Sequence, residues 1–295
     1  MEFEYTIENT NFLNVKDVLK NYFGISSRLL LKLKKNNSVY LNNSICTLND
    51  LVSVGDTVSF CLSYEEDNSN IVATNIPLNI VYEDDCLLII NKQPNVAIHP
   101  SMLHYDNSLS NGVKFYFDSI GLKKKIRPVN RLDRNTSGLV IFAKNEYVQE
   151  CLIKQMNSHI LKKEYIAIVS GILNDKSGTI NLPISRKDGS IIERCVSEDG
   201  QTAITDYSII KELDNMSVVK CVLQTGRTHQ IRVHFSAIGH PLIGDFLYGS
   251  KSGFINRQAL HSYKISFTHP KTLKKMCFEI DLPKDMLSIL NNELI

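Results

Sequence analysis

The stretch Pro128-Val-Asn-Arg-Leu-Asp-Arg-Asn-Thr-Ser-Gly138 passes through a Thr-Ser-Gly turn directly into the apolar run Leu139-Val-Ile-Phe-Ala143. The run reads as a strand, and a strand on that side fixes the preceding loop to a rigid element. Within the loop, Arg131 and Arg134 flank Asp133, and their charge is expected to keep the carboxylate ionised. An ionised, oriented Asp can serve as nucleophile or base. An Asp paired with Arg in a structural turn is the plain alternative. The segment by itself does not separate the two.

Composition narrows the setting. A chain of 295 residues with 43% hydrophobic content can bury a sizeable core and is expected to hold two domains. No apolar run approaches the roughly 20 residues of a membrane span, and Met1-Glu-Phe-Glu-Tyr5 has neither the basic nor the apolar region of a signal peptide. The seven cysteines are scattered without a CxxC pair, which fits a reducing cytoplasm and argues against zinc and a disulfide framework. Net charge is only +2, yet cationic residues gather at 28–35, 123–134, 162–163 and 227–234. Such local stripes can serve phosphate binding, although a solvated helix face explains any one of them equally well.

Working outward, residues 1–63 read as a small α/β module. Apolar residues at 15, 18, 19, 22 and 23 have helical spacing, and Gly24 can end that helix. Ser26 or Ser27 can cap a second helix, with Leu29, Leu30, Leu31 and Leu33 along it and Arg28, Lys32, Lys34 and Lys35 on its polar side. Short strands are expected at 38–41 and 57–62. Residues 64–75, centred on the polar Glu65–Asn70, read as a linker. Over 76–295, strands are expected at 80–82, 87–91, 139–143, 164–169, 202–210, 217–223, 264–268 and 275–280. Helices are expected around 109–117, 145–157 and 228–237. This order implies an α+β fold with a largely antiparallel sheet flanked by helices and loops. There is no GxGxxG, P-loop or internal repeat, so no nucleotide cofactor is expected.

Three further segments bear on Asp133. Tyr165 opens a strand alternating through Ala167 and Val169; a core position is the default, but a Tyr ring can also stack on a base and its hydroxyl handle a proton. In Gly226-Arg-Thr-His-Gln-Ile-Arg-Val-His-Phe235, Thr228 could cap a helix whose Ile231 and Phe235 face the core while Arg232 projects into a cleft. The His residues here lack acidic or Cys ligands at suitable spacing, so the segment reads as a cationic anchor for a carboxylate or phosphate and no metal is expected. The third, Asn91-Lys-Gln-Pro-Asn95, reads as a strand end and tight turn.

Together these segments resemble the RluA/RluD family of RNA pseudouridine synthases. The family's HRLDRxTSG appears as Asn130-Arg-Leu-Asp-Arg-Asn-Thr-Ser-Gly138, and its KxYxAxVxG strand as Lys162/Lys163, Tyr165, Ala167, Val169 and Gly171. Its GRTHQIRVH…GHPIxGDxxYG signature spans Gly226 to Gly249, and its RQxLHxxxIxFxHP pattern runs from Arg257 to Pro270. The N-terminal module is similar to an S4 RNA-binding domain. The resemblance implies a pseudouridine synthase fold and conversion of uridine to pseudouridine without cofactor or metal. It implies Asp133 as nucleophile, Tyr165 stacking on the uracil and assisting loss of the C5 proton, and Arg232 as ion-pair partner of Asp133. Arg131, Arg134, Arg227, His229 and the S4-type Arg28, Lys32 and Lys35 are expected to contact RNA. The expected partner is large-subunit ribosomal RNA, with transfer RNA as the alternative, met by a cytoplasmic monomer with no membrane association.

Two positions depart from the pattern. Asn130 replaces the family's His, where a change in RNA contacts or substrate choice is expected, and Asn95 replaces a turn Gly, where Asn tolerates the left-handed backbone. The rival readings are a non-catalytic S4-type RNA-binding or ribosome-assembly protein, against which an intact Asp133, Tyr165 and Arg232 speak, and a glycoside hydrolase. The latter needs a second carboxylate that Asp133 lacks.

Overall fold

The computed structural model describes residues 1–102, 104–249 and 252–291. Strand Ser137–Ala143 is its axis, with every residue buried. Successive strand residues point to opposite faces, and the apolar clusters divide accordingly. Leu139, Ile141 and Ala143 join one cluster together with Leu87 and Ile89 of the neighbouring strand Leu87–Lys92. Val140 and Phe142 join a second with Leu88 and Ile90. Helix Glu146–Asn157, capped by the Asn145 side chain, covers the first face through Tyr147, Val148 and Leu152. Helix Leu109–Ser119 covers the second with Leu109, Val113 and Phe117, four residues apart on one stripe. Both faces are therefore dry, which is why this strand is apolar throughout.

The main sheet holds ten described strands. Along its main path the order is Ser177–Asn181, Ile204–Leu213, Met216–Leu223, Lys162–Ser170, Leu260–Thr268, Ser137–Ala143, Leu87–Lys92 and Ile80–Glu83. Lys275–Glu279 and Arg127–Pro128 pair off that path. One junction breaks the antiparallel pattern: Leu260–Thr268 runs parallel to Ser137–Ala143, with His261 opposite Ser137 and Ser262 opposite Gly138. Gly138 has φ +118°, and a Cβ there would lie 2.3 Å from the Ser262 carbonyl oxygen. Only glycine lets the strands approach so closely. Since Ser262 also pairs with Tyr165 on the next strand, the register aligns Gly138, Ser262 and Tyr165 across three strands.

The N-terminal module is a four-stranded sheet with strand order Glu2–Thr6, Thr57–Cys61, Val39–Leu41 and Ser44–Ile45. Helix Val15–Asp17 continues into a π-turn at Val18–Tyr22, and helix Ser27–Lys35 starts at Ser26, whose hydroxyl accepts from Leu29 N. Glu2–Thr6 is a strand that the acidic sequence concealed. The module shares one apolar cluster with the main sheet. Tyr147 packs edge-on against Phe3 at 4.7 Å and Phe60 at 5.1 Å between ring centroids.

The polar stretch 65–70, expected as a linker, makes specific contacts. Glu66 takes a bidentate salt bridge from Arg127 at 2.6 and 2.7 Å, with both side chains largely buried. The ammonium groups of Lys32 and Lys124 lie over the Tyr64 ring, 4.0 and 4.9 Å from its centroid, and its hydroxyl donates to Glu146. Asn68 reaches the Lys124 carbonyl. The partners lie far away in sequence, Arg127 by 61 residues and Glu146 by 82, where composition cannot reveal them.

Candidate active site

Asp133 lies on the loop ahead of the central strand, beside a cavity of about 620 Å³. The loop is latched from below. Thr136 N donates to the Asp133 carbonyl, and the buried Asn130 amide donates to Leu139 O at 3.1 Å and accepts from Ile141 N at 2.9 Å. Asn130, expected to alter RNA contacts, thus spends its amide on the backbone of the adjoining strand. Asn95 takes the expected left-handed backbone at φ 65° and accepts from Arg134 Nε.

The cation that meets Asp133 comes from neither flanking arginine. Among the described residues its ion-pair partner is Arg232, whose Nη1 donates to Asp133 Oδ2 at 3.1 Å, and His229 Nε2 lies 3.9 Å from the same oxygen. Arg131 lines the cavity, whereas Arg134 turns to Asn95. Arg232 is the partner that the family resemblance implied, whereas neither flanking arginine pairs with the carboxylate among the described residues: the loop carries its neighbours in sequence outward, and charge reaches Asp133 from a helix.

That helix is Gln230–Ala237. Ile231 and Phe235 enter the core as expected, and Arg232 is 4% exposed. Its cap is His229 rather than Thr228, with a left-handed backbone at φ 60° that turns the imidazole inward. Arg232 is gripped from behind by the fully buried Asp245, through Nε at 2.7 Å and Nη2 at 2.8 Å. Asp245 also accepts from the backbone N–H groups of Leu247 and Tyr248, and the Tyr248 ring lies 4.9 Å from the Arg232 guanidinium carbon. Burial works against the Arg232 charge, but Asp245 and then Asp133 outweigh it and raise its pKa, so the guanidinium stays charged.

His229 is the opposite case, because burial outweighs the Asp133 charge and lowers its pKa. The Tyr248 hydroxyl accepts from Arg194 N at 2.8 Å, leaving its hydrogen for His229 Nδ1 at 2.7 Å. The neutral imidazole then turns an Nε2–H toward Asp133. Tyr165 lines the same cavity and is buried. Burial drives its pKa upward; Ser262 opposes this by hydrogen bonding and the Asp133 charge adds to it. The phenol therefore stays protonated near neutral pH and is no resident base.

Three residues of this assembly escaped the sequence reading. Asp245 and Tyr248 belong to the quoted GDxxYG segment, yet nothing in their spacing announced a partner for Arg232. Lys163 lines the cavity, is 8% exposed, and among the described residues makes no ion pair; its Nζ meets only Met156 Sδ, at 3.6 Å. Burial lowers its pKa to about 8. The remaining expected contacts are dispersed. Arg227 lines the cavity and donates to Thr202 O. Arg28 and Lys35 are exposed, while Lys32 is engaged with Glu146 at 3.0 Å and Glu66 at 3.6 Å and is not free for a phosphate in this conformation.

One cluster of metal-ligating type, Asp84, Cys86 and His269, lies outside the cavity. Its donors are already used: Asp84 accepts from Cys86 N, Leu87 N, Tyr82 and His269, and His269 Nδ1 accepts from Lys271 N and Thr272 N. It is a hydrogen-bonded corner. No helix among the described residues is long and apolar enough to cross a membrane.

Comparison with known proteins places the arrangement. The family model for RNA pseudouridylate synthase matches residues 86–237, which include Asp133, Tyr165 and Arg232. The chain is 40% identical to the uncharacterized RNA pseudouridine synthase YjbO of Bacillus subtilis, over 92% of this chain and 96% of that one. It is 34% identical to ribosomal large subunit pseudouridine synthase D of Haemophilus influenzae, over 86% of this chain and 82% of that one. Among solved structures, human RNA pseudouridylate synthase domain containing 1 superposes with a TM-score of 0.60 at 26% identity, covering 76% of this chain and 92% of that one. The chain belongs to the RNA pseudouridylate synthase family and is an enzyme that isomerises uridine in RNA to pseudouridine.

Proposed function

We propose that the enzyme acts on large-subunit ribosomal RNA in the cytoplasm and that Asp133 carries out the chemistry at the sugar–base junction. The single observation carrying this reading is the Asp133–Arg232–Asp245 arrangement, which sets the Asp133 carboxylate against a charged guanidinium beside the 620 Å³ cavity. Pseudouridine formation breaks the N1–C1′ bond of uridine, rotates the uracil, forms a C5–C1′ bond and sheds the C5 proton. Nothing is oxidised or reduced, and no cofactor is called for. Asp133 Oδ2 is held by Arg232, while Oδ1 makes no hydrogen bond among the described residues and is available to the ribose.

The target base must leave its stack, at a cost of a few kcal/mol, to enter the cavity. There Tyr165 offers its ring as a stacking surface; with its hydroxyl protonated it aids loss of the C5 proton only as a hydrogen-bonding group. Arg131, exposed on the rim, is suited to fill the space the base vacates. The ribosomal target is supported by the relatives named as large-subunit synthases. The N-terminal module supports it as well, read as an S4-like RNA-binding element that presents Arg28 and Lys35 to solvent. A pseudouridine map of cellular RNA from cells with and without this gene tests the target. One or more sites should vanish from large-subunit ribosomal RNA; loss confined to transfer RNA overturns the ribosomal assignment.

A further inference from the structure

A second cavity, of about 450 Å³, opens beside the first and shares Arg131, Gly226, Arg227 and Thr228 with it. Its other wall is the hairpin of Ile184–Arg186 and Arg194–Val196 with the turn at 199–201. Four arginines, 131, 186, 194 and 227, line this space against one carboxylate, Asp199. None of these five side chains takes part in an ion pair among the described residues. Arg194 Nη1 donates to the carbonyls of Ile192 and Glu193, at 3.1 and 3.0 Å, and Arg227 Nε to that of Thr202 at 3.0 Å. Carbonyl anchors orient a guanidinium without cancelling its charge, which is the condition for receiving a phosphate.

The wall is built rather than incidental. Gln201 and Ile184 exchange backbone hydrogen bonds at 2.9 and 3.0 Å, and a Cβ on Gly200 would lie 2.7 Å from the Ile184 backbone. Arg194 N donates to Tyr248, whose ring packs on Arg232, so the hairpin is tied to the group that holds Asp133. The volume falls within the ~300–1,000 Å³ of small-ligand sites.

We propose that this second cavity takes the nucleotide next to the target uridine in the same RNA strand. Its phosphodiester meets Arg186, Arg194 and Arg227, and an amino or imino N–H of its base meets Asp199. Arg131 and the 226–228 loop then stand between two consecutive nucleotides, one in each cavity. Phosphate contacts set the register of the strand, while the carboxylate favours bases that present an N–H donor edge. The inference rests on the reading of this site as one that acts on a uridine in RNA.

The test uses the full-length protein and unmodified large-subunit ribosomal RNA made by transcription. Wild type, Arg186→Glu, the double variant Arg186→Ala with Arg194→Ala, and Asp199→Asn are compared in salt-dependent binding and in pseudouridine formation. The double variant should raise KM about tenfold or more with kcat at saturating RNA unchanged. Its plot of log Kd against log salt should flatten by up to about 0.7, the value for the one single-strand phosphate contact that these arginines share. Arg186→Glu, altering an exposed side chain, keeps the test valid should the double variant fold poorly. Asp199→Asn should change which adjacent nucleotide the enzyme prefers. An active wild type matched by Arg186→Glu in KM and salt slope overturns the second cavity alone. A wild type that leaves every uridine intact overturns the functional reading, while the salt slopes still decide whether the cavity binds RNA.

Discussion

Arg232 joins Asp133 to Asp245, donating to the first from Nη1 at 3.1 Å and to the second from Nε and Nη2 at 2.7 and 2.8 Å. The two carboxylates differ in exposure: the Asp245 side chain is 0% exposed and that of Asp133 24%. Asp245 is the structural end of the arrangement, and Asp133 is the end proposed to meet substrate.

Asp245→Asn keeps the shape but removes the charge that holds Arg232 from behind. Breaking a buried pair of this kind costs ~3–5 kcal/mol, so Tm should fall by roughly 6–20 °C at ~2–4 °C per kcal/mol. Activity should fall at temperatures where the variant is still folded, because Arg232 loses its orientation. Thermal unfolding alongside turnover checks both effects; a variant with wild-type Tm and kcat removes Asp245 from the account.

Gly138→Ala places a methyl group against the Ser262 backbone in a left-handed region. Strain and displacement together should cost ~3 kcal/mol or more, read as a lower urea midpoint with an unchanged slope. Because Ser262 pairs with both Gly138 and Tyr165, the shift should also lower kcat in the folded fraction.

Lys163 gives a pH dependence of definite sign. Its pKa is lowered by burial from the ordinary lysine value to about 8. Any RNA affinity supplied by its ammonium group is present below pH ~8 and lost as pH rises through that value. Stability runs the other way. Between pH ~8 and ~10.5 the unfolded chain binds the proton more tightly, so this residue's contribution rises with pH. RNA binding measured from pH 6.5 to 9 should weaken above 8 in wild type, and Lys163→Met should flatten that decline.

His261 predicts acid sensitivity. Burial, followed by the Arg257 charge, lowers its pKa to about 4, and its Nδ1 shares a hydrogen bond with Ser137 at 2.8 Å. The unfolded chain therefore takes up a proton first, and stability is lost as pH falls from about 6.5 toward 4. The loss approaches ~3 kcal/mol at the lower end. His261→Gln should show a smaller drop in chemical-denaturation stability between pH 7 and 5 than wild type does.

The central strand, the helix carrying Arg232 and the antiparallel main sheet were legible because their apolar spacing is strong over several residues. Asp133, Tyr165 and Arg232 were legible as candidates because each lies in a distinctive segment, and the fold brings all three to one cavity. Ser177–Asn181 was missed because it has a single buried apolar residue, and Glu2–Thr6 because its acidic residues face outward. Arg232 was named as the partner of Asp133 through the family resemblance, and the two pair at 3.1 Å; the flanking arginines do not, because sequence proximity is a poor guide to charge pairing when a loop fans its side chains apart. Asp245 and Lys163 gave no signal of their own, since burial and the lack of an ion-pair partner are properties of the folded chain.

The most direct test of the central claim is tritium release from C5-tritiated uridine in unmodified large-subunit ribosomal RNA, measured for wild type and Asp133→Asn. Asparagine keeps the side-chain shape but carries no charge, so folding and RNA binding should persist. Wild type should release tritium from specific sites, and Asp133→Asn should release none above background at equal RNA occupancy. Tritium release by Asp133→Asn at a rate near wild type would contradict the account, since the charged carboxylate would then not be the group that does the chemistry.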